Sequence, residues 1–143
     1  MKTEKTNKYL KIFERIAKEN KINFEYSFKS NVGRADFEQR KVFISKPINR
    51  NRLQTALHEI SHILQGEIKP IYVEEYLAEV LSFEMIKKEG IPISKKARDR
   101  SKKHIAYMTQ KAIHRGLKKI DKRVKNYIKS KYPNTAKGER RFI

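Results

Sequence analysis

Apolar side chains recur at helical spacing between residues 52 and 66, and this run encloses a His-Glu-x-x-His pattern. The apolar positions are Leu53, Ala56, Leu57, Ile60, Ile63 and Leu64. Gly66 follows them, and glycine is the residue type that most often ends a helix. A helix with one apolar face must bury that face against other elements. The pattern therefore predicts a helix from residue 52 to about residue 66 with one apolar face.

This helix carries the residues of a possible metal centre. His58 and His62 are four positions apart, so both imidazoles project from one face and can reach one tetrahedral zinc ion. Glu59 lies about 100° further around the helix. It is poorly placed to bind the same ion, but it can take a proton from the water that the metal holds and activates. The pattern thus predicts Zn²⁺ with Glu59 as the general base.

The chain has no cysteine, so every metal ligand must be a histidine or a carboxylate. A catalytic zinc needs a third protein ligand, and the next predicted helix offers three glutamates. Glu75 and Glu79 share a face, so Glu75 can bind zinc while Glu79 orients a ligand imidazole. Glu74 remains the alternative ligand, and a solvated acidic helix start would have the same composition. Manganese or cobalt would fit the same ligands.

The other segments predict an α+β fold with a small sheet. A helix over residues 7–20 precedes an alternating strand at 23–28 and a second alternating run within 35–44. Another helix is predicted over residues 73–88. One or two basic helices follow within 95–131, before Pro133. The last ten residues have the composition of a polar tail.

Positive charge is concentrated in the last third of the chain. Residues 94–143 contain 18 Lys and Arg against 3 Asp and Glu, whereas residues 1–93 contain 17 against 13. We therefore divide the chain into a core with the metal site, 1–93, and a basic helical part of the same domain, 94–143. The excess favours nucleic acid as a partner, although a solvated helical face would look alike. The densest cluster is Lys118, Lys119, Lys122, Arg123 and Lys125.

Length and hydropathy narrow the class of protein further. The 143 residues suffice for one domain with a core of its own. The sequence has no apolar stretch of about 18 residues, which a membrane helix would need. The N-terminus is charged but lacks the apolar segment of a signal peptide. We therefore expect a cytoplasmic protein without a membrane partner.

The order of the motifs resembles the zincin-like metallopeptidase domain found at the C-terminus of ArdC antirestriction proteins and in polyproteins of phages and mobile elements. The motif helix is followed by Glu-Glu-Tyr-Leu-Ala-Glu at 74–79 and by Glu-Gly-Ile at 89–91. His-Ile-Ala-Tyr at 104–107 and Asp-Lys-Arg at 121–123 complete the set. The resemblance extends over residues 42–128.

This resemblance implies a zincin fold: a small, antiparallel-edged sheet with the active-site helix beside it and the basic helices at the C-terminus. A peptide substrate would add to the sheet edge as an extra strand. The resemblance also implies that Tyr107 or His104 faces the cleft and stabilises an oxyanion. The chain has no tryptophan, which that family carries, and has a short helix and strands where ArdC proteins have a domain binding single-stranded DNA. ImmA-like and SprT-like peptidases share the helix motif but match the later motifs less well.

Two functions follow as hypotheses. The first is a gluzincin-like zinc metalloendopeptidase that cleaves proteins associated with nucleic acid, in a phage or mobile element. The second is a non-catalytic nucleic-acid-binding or antirestriction protein with a structural metal. A polybasic peripheral membrane protein is disfavoured, because the basic helices lack an exposed aromatic face.

Overall fold

The protein, described by a computed structural model over residues 2–129, has an α+β fold. Within that range the elements are α1 (Lys2–Glu19), β1 (Asn23–Ser27), β2 (Gly33–Asp36), β3 (Lys41–Ser45), α2 (Arg50–Gln65), α3 (Ile71–Lys88), α4 (Lys95–His114) and α5 (Lys122–Lys129). The predicted class is confirmed: helices accompany a small mixed sheet. The expected polar tail lies outside the described residues.

The three strands form a sheet in the order β1-β3-β2, with β3 in the centre. β1 pairs with β3 in parallel, and β2 pairs with β3 antiparallel, with Gly33 opposite Ile44. The alternating run expected within 35–44 is confirmed as β3, and the short strand β2 before it is an additional element that the alternation did not predict. A turn separates the two strands, because the Asp36 carboxylate accepts a hydrogen bond from the Gln39 backbone N–H at 3.0 Å and Arg40 adopts a positive φ of 48°.

Helix α2 is the central element of the first of two compact units, which comprises Met1–Glu67 and Ala78–Pro92. Five of its six apolar side chains are buried and pack with the inward face of β3 and with α1, whereas Leu64 is 39% exposed. The side chains with no exposure in this core are Phe13, Ala17, Val42, Ile44, Leu53, Ala56, Leu57, Ile60 and Ala78. An ion pair between Arg15 and Glu89 joins α1 to the end of α3.

The ends of α2 follow from local chemistry. Asn49 is extended and its side chain accepts a hydrogen bond from the Arg52 backbone N–H at 2.9 Å, so it is the N-cap. Gly66 ends the helix with a φ of 75°, and its N–H donates to the His62 carbonyl. The metal-ligand candidates thus lie in the last two turns of a helix that is fixed at both ends.

The second compact unit comprises Ile68–Leu77 and the chain from Ile93 onward. Tyr72, Val73, Ile105, Val124 and Ile128 are the centre of its core. The sequence-based division at residue 93 assigns residues 68–77 to the first part, whereas the structure groups them with α4 and α5. No helix within the described residues is long and apolar enough to cross a membrane.

Candidate metal centre

The two motif histidines converge in the structure. His58 Nε2 and His62 Nε2 are 3.1 Å apart, and their rings are nearly perpendicular, at 81°. Two ligand nitrogens on one tetrahedral zinc, each at its usual bond length, would be separated by about 3.3 Å. His62 is buried and stacks edge-on against Phe37, with ring centroids 6.4 Å apart. The pair therefore has the spacing of two ligands to one ion.

The orientation of His58 is set from its far side. Glu79 Oε2 lies 2.7 Å from His58 Nδ1, and the Gln54 amide donates to the same oxygen at 3.2 Å. The side chains of His58 and Glu79 are only 12% and 7% exposed. A carboxylate at this position accepts a hydrogen bond from Nδ1–H, and in that tautomer the Nε2 lone pair is available to a metal.

Glu75 completes a group that could hold a metal ion. One potential ligand atom from each of His58, His62 and Glu75 lies within 4.8 Å of the other two. Glu74 is not a member of this group, although it is the more buried of the two neighbouring carboxylates. Two imidazoles and one carboxylate are a donor set that zinc accepts. The residues present therefore fit a site for a metal ion.

His104 contacts one of the candidate ligands. Its Nε2 lies 2.9 Å from Glu75 Oε1, and its side chain is 44% exposed. Tyr107, one turn further along α4, is 57% exposed, and the Lys111 ammonium lies 5.4 Å from its ring centroid. For His104 the structure thus shows a hydrogen bond to Glu75. The oxyanion role expected for His104 or Tyr107 stays a prediction.

Glu59 lies on the side of α2 that faces strand β2. Its carboxylate packs against the backbone of Gly33, and Thr55, one helical turn earlier, packs against the same residue. Glu59 is partly exposed, unlike the buried His62. The residue predicted to be the general base therefore lies between the motif helix and an edge strand of the sheet.

The predicted nucleic-acid cluster lies at the start of α5 and in the loop before it. Lys118, Lys119 and Lys122 are exposed. Arg123 differs, because its guanidinium binds the Asp121 carboxylate at 2.9 and 3.1 Å. Hydrogen bonding to Arg123 lowers the pKa of Asp121, and the same pair raises the pKa of Arg123. The charge of Arg123 is thus partly neutralised within the protein.

Sequence reasoning missed three residues of the candidate centre: Gln54, Phe37 and Gly33. Gln54 precedes His58 by one helical turn, so the spacing 54, 58 and 62 along one face could have identified it. Phe37 and Gly33 reach α2 through the sheet. No local pattern in the sequence marks those two contacts.

No protein-family model matches this chain, and no curated protein or solved structure shows significant similarity to it.

Proposed function

We propose that this protein is a zinc-dependent metallopeptidase of the zincin type, with His58, His62 and Glu75 as metal ligands. The observation that carries the proposal is the 3.1 Å approach of two imidazole nitrogens, one of them oriented by a buried carboxylate. Buried histidines held in this way on one helix face are characteristic of metal sites. The order of motifs shared with the zincin-like domain of ArdC proteins supports the same reading.

Each residue then has a defined task. When bound, zinc polarises the scissile carbonyl and lowers the pKa of a coordinated water. Glu59 accepts a proton from the attacking water and delivers it to the leaving amine nitrogen. Glu79 holds the Nδ1 proton of His58, so that Nε2 keeps its lone pair. His104 lies within hydrogen-bond distance of one oxygen of Glu75 and would restrict the orientation of that carboxylate.

We further propose that the protein binds nucleic acid. The positive charge of residues 94–143 would bring the enzyme close to proteins that are bound to DNA or RNA. The same charge supports the second candidate function, a non-catalytic nucleic-acid-binding or antirestriction protein with a structural metal. The two candidates differ in whether Glu59 matters, since only a peptidase uses it.

The test is Glu59→Gln, assayed with zinc-loaded protein against an unstructured protein such as casein. A peptidase is expected to lose about 10²–10⁴-fold in kcat/KM, because glutamine cannot take the proton. Bound zinc should stay unchanged, since Glu59 is not a ligand. Glu67→Gln is the matched control: it removes an exposed carboxylate just beyond α2 and should leave activity intact. A zinc-loaded wild type with no activity would favour the non-catalytic candidate, whereas an equally active Glu59→Gln would show that Glu59 is not the general base.

A further inference from the structure

The backbone of β2 approaches the predicted general base unusually closely. A Cβ atom built on Gly33 would lie 2.9 Å from Glu59 Oε2 and 3.0 Å from Thr55 Cγ2. Side-chain carbon atoms do not approach other heavy atoms that closely without displacing them. The φ angle of Gly33 lies outside the left-handed region, so the backbone conformation itself does not demand glycine. The reason for glycine at this position is therefore contact with α2.

Strand β2 cannot easily move away from this contact. It is paired with β3, whose Val42 and Ile44 are fully buried. The buried Ser45 fixes the start of β2, because its hydroxyl accepts from the Val32 N–H at 2.9 Å and donates to the Lys29 carbonyl at 2.7 Å. The Ser45 N–H also donates to the Val32 carbonyl. A side chain at position 33 would thus push against α2 rather than shift the strand.

On the helix side, the methyl group of Thr55 is held as well. The Thr55 hydroxyl donates to the Asn51 carbonyl at 3.2 Å, which directs Cγ2 towards Gly33. The backbone of α2 is fixed by its buried apolar face. The carboxylate of Glu59 is the end of a longer side chain with three rotatable bonds. Of the three partners in this contact, it is the one that would yield.

We propose that Gly33 is a positioning residue for Glu59: the missing side chain at the edge strand creates the space in which the general-base carboxylate is held. The catalytic part of this proposal rests on the proposed function, whereas the packing part does not. A small displacement of the base from its reactive position is enough to slow proton transfer strongly. Position 33 would then control turnover without touching the metal ligands.

The packing part is tested by comparing the effect of Gly33→Ala on Tm in two backgrounds, a measurement that does not require enzymatic activity. Gly33→Ala in the wild type is expected to lower Tm by about 4 °C, from overpacking against α2. In a Glu59→Ala/Thr55→Ser background both close atoms are gone, and the same change should raise Tm by about 2 °C, since alanine suits a strand better than glycine. Gly66→Ala is the matched control. Nothing lies within 4 Å of its added Cβ, so its cost comes from its φ of 75° alone and should be equal in both backgrounds.

The catalytic part is tested with zinc-loaded Gly33→Ala. Its kcat should fall by about 10²-fold while KM and zinc content stay close to the wild-type values. An equal change of Tm on Gly33→Ala in both backgrounds, or an unchanged kcat, would overturn the proposal. A wild type that lacks peptidase activity would instead overturn the proposed function and the positioning of a base with it, and the Tm measurements would still decide the packing of Gly33 against Glu59 and Thr55 together.

Discussion

The candidate metal centre and the predicted nucleic-acid cluster, called the basic cluster below, differ in the burial of their charged side chains. At the centre, His58 and Glu79 are almost buried and contact each other at 2.7 Å. In the basic cluster, Lys118, Lys119 and Lys122 are exposed. A buried pair acts through its geometry, so one substitution can abolish its effect. Exposed charges attract nucleic acid through their summed charge, so each substitution lowers the affinity by a small step and the affinity depends on salt concentration.

The largest effect is expected when Glu79, the partner of His58, is changed and the candidate metal ligands are kept. Glu79→Gln keeps the size of the side chain but removes the charge that holds the Nδ1 proton. We expect zinc affinity to fall by about 10–100-fold, measured by competition with a chromophoric chelator.

Glu84→Gln is the control for Glu79→Gln, since Glu84 lies on the same helix with its side chain exposed. It should leave the zinc affinity unchanged. Equal affinities for wild type and Glu79→Gln would show that the buried contact does not tune a metal ligand.

The basic cluster should respond to substitution gradually. Changing Lys118, Lys119 and Lys122 together to alanine is expected to reduce the slope of log K against log salt by about 2 for a single-stranded oligonucleotide. Fluorescence anisotropy over a series of salt concentrations measures this slope.

The control for the triple variant removes the same charge elsewhere, by changing the exposed Lys8, Lys11 and Lys18 of α1 to alanine. If both triple variants reduce the slope equally, the binding is a property of net charge and not of this cluster. If neither binds less tightly than the wild type, nucleic acid is not held by these lysines.

The smallest effect is expected at Asp121, whose carboxylate binds Arg123 of the basic cluster. Its pKa is lowered by Arg123, so the pair contributes stability above the unfolded carboxyl pKa of about 3.9, and this contribution is lost as the pH falls through the lower folded value. Asp121→Asn should therefore lower Tm at pH 7 by about 2 °C or less, because the pair is exposed to solvent. The difference from the wild type should shrink as the pH falls below about 3.9 and through the folded pKa of Asp121.

Thermal unfolding at a series of pH values, with the exposed Glu38→Gln as a control for the loss of one charge, checks the Asp121 prediction. A difference between Asp121→Asn and the wild type that is the same at pH 7 and below pH 3 would show that the ion pair is not its cause.

Features of this protein that depend on residues close in sequence can be predicted from the sequence, whereas features that depend on contacts between distant residues cannot. The spacing of His58, Glu59 and His62 within an apolar period is local, so the helix and its metal face can be predicted. Glu75 and Glu79 follow from the same rule on the next helix. Strand β2 could not be predicted from alternation, because it is only four residues long and ends at the Asp36 turn. The contact of Gly33 with Glu59 joins residues far apart in the chain and depends on how β2 packs against α2.

Zinc binding by His58 and His62 can be tested directly by measuring the zinc content of the purified protein. Wild type, His58→Ala and the control His114→Ala, which changes an exposed histidine, would be purified in parallel, incubated with zinc, desalted and measured by elemental mass spectrometry. The account predicts about one zinc per chain in the wild type and in His114→Ala, and a loss of the metal in His58→Ala. No zinc in the wild type, or the same amount in His58→Ala, would contradict it.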